Sequence, residues 1–244
     1  MMPSTNVVPI ESAVRVNPLF RWLSLAWLIV RRPFLLRRVD RYVIEDVAGV
    51  PIAVLPSVWN PVVFRTGEYL ARSLLEGSVG QPSDHEHSQR ALDMGTGSGI
   101  GAIFAARRGY QVIAVDLNPE AVRCARVNAL MNRLEGLIEV RQGDLFEPVA
   151  REQFDLVLFN PPFFRGTPKD LADMAWRGVD VLERFAAGLP GALRPGGHAL
   201  IVLSTDGEGA ALLKALEENG MRVDAVDCRN LGNEVMTVYC AKVR

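Results

Sequence analysis

Asp93-Met94-Gly95-Thr96-Gly97-Ser98-Gly99-Ile100-Gly101 lies between a short strand pattern over residues 91–94 and an apolar helical pattern that starts at Ile100. Glycines at this spacing let the backbone turn sharply at a strand end and let a ligand approach it with no Cβ in the way. Taken alone the motif is common. The same turn serves nicotinamide and flavin enzymes, and a glycine-rich turn can be no more than a turn.

Downstream of the glycines, strand and helix patterns alternate, which predicts a parallel sheet with helices on both faces. Strands are read over residues 91–94, 112–116, 138–141, 156–159, 199–204, 222–228 and 235–241. The last two are joined by only a few residues around 230–233, too few for a parallel crossover, so the final strand must run against the sheet. The expected fold is therefore α/β and Rossmann-like: a doubly wound, seven-stranded, mostly parallel sheet with an antiparallel last strand. Upstream, residues 42–44 and 50–54 flank a turn at 46–49 and read as a hairpin.

Three further features stand at strand C-terminal ends, where open α/β sheets bind ligands. Asp116, followed by Leu117, closes the second strand, where a carboxylate can accept both hydroxyl protons of a ribose. Asp144, in Gly143-Asp144-Leu145, follows the third strand and can accept from an adenine amino group while Leu145 and Phe146 flank the ring. Asn160-Pro161-Pro162-Phe163 follows the fourth. Each feature has a plain alternative, since an Asp at a strand end often caps a helix and Pro-Pro often stops a loop. An oxidoreductase would use the glycine turn and Asp116 equally well, but it supplies no reason for Asp144 or for the Asn160 turn.

In this order the motifs resemble the class I methyltransferases, and within them the HemK/PrmC family of release-factor glutamine methyltransferases. The resemblance runs over about residues 57–242, through the 93–101 turn, Val115-Asp116-Leu117-Asn118-Pro119-Glu120-Ala121, Asn128, Gly143-Asp144-Leu145 and Phe154-Asp155-Leu156-Val157-Leu158-Phe159-Asn160-Pro161-Pro162-Phe163. Ala175-Trp176-Arg177-Gly178 with Arg184-Phe185 is most similar to the smaller eukaryotic and archaeal branch. The resemblance implies S-adenosyl-L-methionine as cofactor, held by Asp93, Gly95, Thr96, Gly97, Gly99, Asp116, Leu117, Asp144, Leu145 and Asn160. It implies a catalytic set of Asn160, Pro161, Pro162 and Phe163, with no metal. It further implies a protein substrate such as a release factor, and a small activator subunit as partner.

The chemistry of an amide agrees with that assignment. Its nitrogen is a poor nucleophile because the lone pair is delocalised into the carbonyl, which is also why the group is planar. If the Asn160 side-chain oxygen and the Pro161 carbonyl accept its two N–H groups, density stays on nitrogen and no base is needed before attack. Phe163 replaces the family's usual tyrosine, and Trp59-Asn60-Pro61 with Phe64-Arg65-Thr66-Gly67-Glu68 replaces its usual sequence ahead of the core. These departures keep a second acceptor open, an exocyclic amine of adenine or guanine in RNA, for which Arg65, Arg165, Lys169 and Arg177 are candidate contacts. A small-molecule acceptor would need the same chemistry.

Length and charge set bounds on the rest. The 244 residues suffice for one α/β domain and an appendage, and the net charge of −1 exerts no overall pull on nucleic acid. Charge is polarised: residues 1–45 hold seven arginines against three acids, a net +4, leaving −5 for the remainder. Leu19, Trp22, Leu23, Ala26, Trp27 and Val30 fall on one helical face with arginines at its ends. That pattern suits peripheral membrane contact through residues 15–38, and it equally suits an accessory helix packed on its own domain. The division read here is an N-terminal extension, 1–56, and a methyltransferase domain, 57–244. Residues 77–88 read as a solvated linker, where His85 and His87 lack further histidines with which to build a metal site. Three cysteines without paired spacing point to a reducing, cytoplasmic setting.

Overall fold

The structure is a computed structural model that describes residues 41–76, 88–162, 164–167, 177–205, 207, 209–232 and 234–244. The amphipathic stripe with its expected membrane contact, His85, His87, Phe163, Lys169 and Trp176 lie outside the described residues.

Apolar residues at every position of a strand require cover on both faces. Strand β6 (Phe154–Phe159, FDLVLF) meets that condition from Leu156 to Phe159, at the centre of a seven-stranded sheet. Its neighbours are β3 (Arg90–Met94), β4 (Gln111–Asp116) and β5 (Ile138–Gln142) on one side, and β9 (Leu193–Ser204), β11 (Val235–Val243) and β10 (Met221–Asn230) on the other. The order is β10-β11-β9-β6-β3-β4-β5, and β7 (Phe164–Arg165) with β8 (Arg177–Gly178) forms a separate parallel pair. Pairings from β9 through β6, β3 and β4 to β5 are parallel, while β11 is antiparallel to both β9 and β10. The expected seven strands are all present, and the short connection before β11 reverses it as read from the sequence.

The pleat sorts side chains between two cores. Ala91, Val112, Ala114, Leu156 and Leu158 face one way, towards α1 (Thr66–Leu75), α2 (Ile100–Arg107) and α3 (Pro119–Met131). Leu92, Met94, Ile113, Val115, Val157 and Phe159 face the other, towards α4 (Val181–Ala192) and α5 (Gly209–Glu218).

The hairpin of β1 (Val43–Val47) and β2 (Val50–Val54) contributes Val47, Val50, Ile52 and Val54 to the α1–α2–α3 core. A fully buried amide ties it there. Asn128 of α3 accepts from the Ala53 N–H at 2.7 Å and donates Nδ2 to the Ala53 carbonyl at 2.6 Å, as a neighbouring strand would. The same Nδ2 donates to the carbonyl of Ser98 at 2.8 Å, so one side chain joins the hairpin to the glycine turn. A second tie runs from Asn60, whose Nδ2 donates to Glu45 of β1 at 2.8 Å while its Oδ1 accepts from the N–H groups of Val62 and Val63. Through it the hairpin fixes the segment between β2 and α1.

Candidate active site

The chain leaves β3 to one side for β4 and β5, then returns to the other for β6. This switch point opens a crevice beyond the strand C-termini, where doubly wound sheets bind ligands. A cavity of about 380 Å³ lies there, lined by residues from the ends of β3, β4, β5 and β6 and walled by Trp59, Pro61 and Gly67. Its size falls within the usual range for small-molecule and cofactor sites.

Its floor is the glycine turn. Gly95 and Gly97 take φ of 64° and 55°, left-handed values that a side chain would strain, and both border the cavity. Gly99 was grouped with them from sequence but does not line the cavity. It is the N-cap of α2 at φ 82°, and a methyl there would lie 3.0 Å from Ala125 of α3, so its task is helix packing. Asp93 holds the turn from beneath: its Oδ2 accepts from the Thr96 hydroxyl at 2.5 Å and from the Ala102 N–H at 2.8 Å. Gly101 is required beside it, because a Cβ would collide with that carboxylate.

Burial lifts the Asp93 carboxyl to about 7, outweighing the two hydrogen bonds that favour its charged form. The folded chain thus holds this proton more tightly than the unfolded one. The Asp93 contribution to native stability falls as pH rises from about 4 to about 7 and then levels. Partly buried His198 in β9 acts in the opposite sense: burial lowers it to about 4, so its contribution is lost as pH falls through the same interval. Comparing Asp93→Asn with the parent chain cancels the histidine. The variant's Tm minus the parent's is expected to rise between pH 4 and 7 and then flatten; a difference constant with pH would show that Asp93 stays charged throughout.

Asp116 ends β4 facing the turn. Its Oδ2 accepts from the Gly97 N–H at 2.8 Å and its Oδ1 from the Asn118 N–H at 2.9 Å. Burial raises its pKa and these backbone donors offset part of the rise. Leu117, exposed for its size, stands beside it on the rim. Asp144 and Leu145 line the wall after β5, where Leu145 takes a left-handed φ of 47°. Phe146, expected beside them, does not reach it. Its ring stacks on Phe185 at 5.6 Å and packs over Gly188, which has no side chain to obstruct it.

Asn160, Pro161 and Pro162 complete the lining at the end of β6. The Asn160 amide nitrogen faces Gly67 of α1, where a methyl group would stand 3.7 Å away. The adjoining wall, Trp59 and Pro61, is braced by Trp59 stacking on Phe64 at 3.6 Å and by the Pro61 carbonyl accepting from the Glu68 N–H at 3.3 Å. In the sequence this stretch stands out only as a departure from a family pattern, and Arg184, quoted there for the resemblance, and Asp180 carry no site role, although both line the cavity. Arg184 binds Asp144 at 2.7 Å and Asp180 at 2.9 Å. A pair 40 residues apart leaves no periodic trace by which to find it.

The residues present suit a nucleoside bearing a sulfonium amino-acid tail. Asp116 would hold the ribose, Asp144 and Leu145 the base, and the glycine floor the tail, beside the Ser98 hydroxyl, which is buried without a hydrogen-bond partner among the described residues. Among those residues no cluster of histidine, cysteine or acids is arranged to hold a metal, and no helix is long and apolar enough to cross a membrane.

Sheet order, switch-point cavity and strand-end carboxylates together define a class I S-adenosylmethionine-dependent methyltransferase. The chain belongs to the family described as methyltransferase small domain, whose model matches residues 74–226. It is similar to the release factor glutamine methyltransferase of Xylella fastidiosa, 32% identical over 194 residues that cover 71% of this chain and 70% of that protein. Among solved structures, the 16S rRNA N2 G1207 methyltransferase of T. thermophilus in complex with AdoMet and guanosine aligns with a TM-score of 0.59 and 22% identity, over 84% of this chain and 50% of that one. The E. cuniculi Mtq2-Trm112 complex, responsible for methylation of the translation termination factor eRF1, aligns with a TM-score of 0.54 and 19% identity, over 77% of this chain and 99% of that one.

Proposed function

We propose that the chain methylates the side-chain amide nitrogen of glutamine in a protein, with a release factor as the model substrate. The observation that carries this reading is the charge of the cavity. Among the described residues Asp93, Asp116, Asp144 and Asp180 line it, and the one cation there, Arg184, is bound to two of them. With that arginine already engaged, the described lining offers no free cation to a phosphodiester and accommodates a neutral amide. Similarity to the X. fastidiosa enzyme over most of both chains supports the same reading.

Bound S-adenosylmethionine supplies an electrophilic methyl group. The protein's share is placement: Asn160 Oδ1 and the Pro161 carbonyl accept the two amide N–H groups, leaving the nitrogen lone pair towards the donor. As the N–CH₃ bond forms and the donor's S–CH₃ bond breaks, positive charge passes from sulfur to the nitrogen next to these two dipoles; one N–H proton then passes to solvent and the donor is left as a neutral thioether. Pro161 and Pro162 fix φ and bring no N–H of their own to compete. Partners in this reading are the acceptor protein and a small activator subunit of the kind named in the Mtq2-Trm112 complex.

A second reading, an exocyclic amine of guanine or adenine in RNA, presents the same planar NH₂ group. The likeness to the G1207 enzyme favours it. Methyl-labelled S-adenosylmethionine, added with the chain to an extract of cells lacking the gene, separates the two. Label in a protein band that Asn160→Ala abolishes supports glutamine methylation. Label in RNA overturns it in favour of the nucleobase, and label in neither, with donor binding shown, overturns both in favour of a small molecule.

A further inference from the structure

Arg184, in the first turn of α4, donates Nη1 to Asp144 Oδ2 at 2.7 Å and Nη2 to Asp144 Oδ1 at 3.4 Å, while its Nε donates to Asp180 Oδ1 at 2.9 Å. All three side chains line the cavity. Fold stability does not explain the arrangement. The Arg184 and Asp144 side chains are 42% and 30% exposed, and ion pairs in such surroundings contribute little. Asp180 occupies the N-cap of α4 yet makes no side-chain cap bond, so its carboxylate serves the arginine instead of the helix.

The arrangement does explain the orientation of a carboxylate. An aspartate at the lip of a cavity rotates freely unless something holds its plane. A guanidinium is a rigid planar fork, and reaching both oxygens of one carboxylate fixes that plane and directs the remaining lone pairs. Asp180 anchors the fork from the other side, and Leu145, at φ 47°, fixes the backbone immediately after Asp144.

We propose that Arg184 is a positioning residue for base recognition, holding the Asp144 carboxylate so that it accepts from the exocyclic amino group of the donor's adenine and rejects a carbonyl at that ring position. The inference rests on the reading of Asp144 as the adenine contact. It assigns base selectivity to a residue on α4, an element that carries no part of the glycine turn.

Calorimetry on the full chain tests it with two ligands, S-adenosylhomocysteine and S-inosylhomocysteine, in which a carbonyl replaces the amino group. The parent chain is expected to prefer the adenosyl compound by about 10- to 100-fold, the range for one hydrogen bond to a charged group. Arg184→Met is expected to reduce that ratio to within about threefold while retaining adenosyl binding, and Arg184→Lys, which keeps the charge without the fork, to fall between. A role confined to local structure would weaken both ligands alike and leave the ratio unchanged. Each adverse outcome is distinct. A preference that survives in Arg184→Met overturns the positioning role and leaves Asp144 in place. A parent chain without preference overturns the Asp144 contact and the inference with it. A parent chain that binds neither ligand overturns the donor-site reading itself.

Discussion

Asn160→Ala is expected to slow methyl transfer by about 10²- to 10³-fold, the usual loss on removing one preorganised dipole from a site of developing charge, and to leave donor affinity within about twofold. The split follows from where the residue sits. Asn160 stands at the end of β6, a central strand paired in parallel with β3 and β9, and is followed by two prolines, so the turn cannot shift to compensate for a lost side chain. Gly67 and Pro61 wall the same corner. Loss of rate with intact binding, measured by single-turnover kinetics beside calorimetry, identifies a group that acts on the acceptor. Retained turnover would overturn the amide-positioning mechanism. A parallel loss of donor affinity would instead make Asn160 part of the donor pocket. Asn160→Asp adds a discriminating case: it keeps an acceptor oxygen, so it is expected to retain more activity than alanine.

Much of this architecture was legible because buried parallel strands announce themselves as short apolar runs ended by glycine or acid, and because a connection of a few residues has only one way to join two strands. The ends of elements were harder. Strand β9 starts at Leu193, six residues before its apolar run, because Pro195-Gly196-Gly197 reads as a turn although Leu193 already pairs with Phe154. At the site, Asp116, Asp144, Leu145, Asn160, Pro161 and Pro162, read from strand ends, all border the cavity, since strand ends converge at a switch point whatever the sequence between them. The wall contributed by Trp59, Pro61 and Gly67 was not legible as such. It is held by the Asn60–Glu45 bond and by the Trp59–Phe64 stack, contacts whose partners share no period. Gly99 and Phe146 show the converse limit. Their sequence neighbours line the cavity, yet one packs two helices together and the other joins a stack with Phe185, and only the third dimension separates those tasks.

Asp116→Ala is expected to weaken S-adenosylmethionine binding by about 10²-fold or more, the scale of losing charged hydrogen bonds to a ligand. Two causes would combine in that loss. Asp116 Oδ2 accepts from the Gly97 N–H, so alanine frees the glycine floor, and the same carboxylate is the one placed to meet ribose hydroxyls. Its Oδ1 bond to the Asn118 N–H also steadies the entry to α3, where Asn118 caps the helix by accepting from the Glu120 N–H at 2.9 Å. A cycle pairing the substitution with a 2′-deoxy analogue of S-adenosylhomocysteine separates the effects. If the ribose contact dominates, the parent chain discriminates against the deoxy ligand and Asp116→Ala does not. If the tie to Gly97 dominates, both proteins show the same discrimination and the variant binds each ligand more weakly by the same factor. Unchanged affinity for the intact ligand would refute the ribose assignment outright and leave Asp116 as a brace for the turn. The raised pKa sharpens the expectation: a carboxylate buried against its own charge gains most from ligand hydroxyls that satisfy it, so parent-chain affinity should weaken as pH falls and Asp116 takes up a proton.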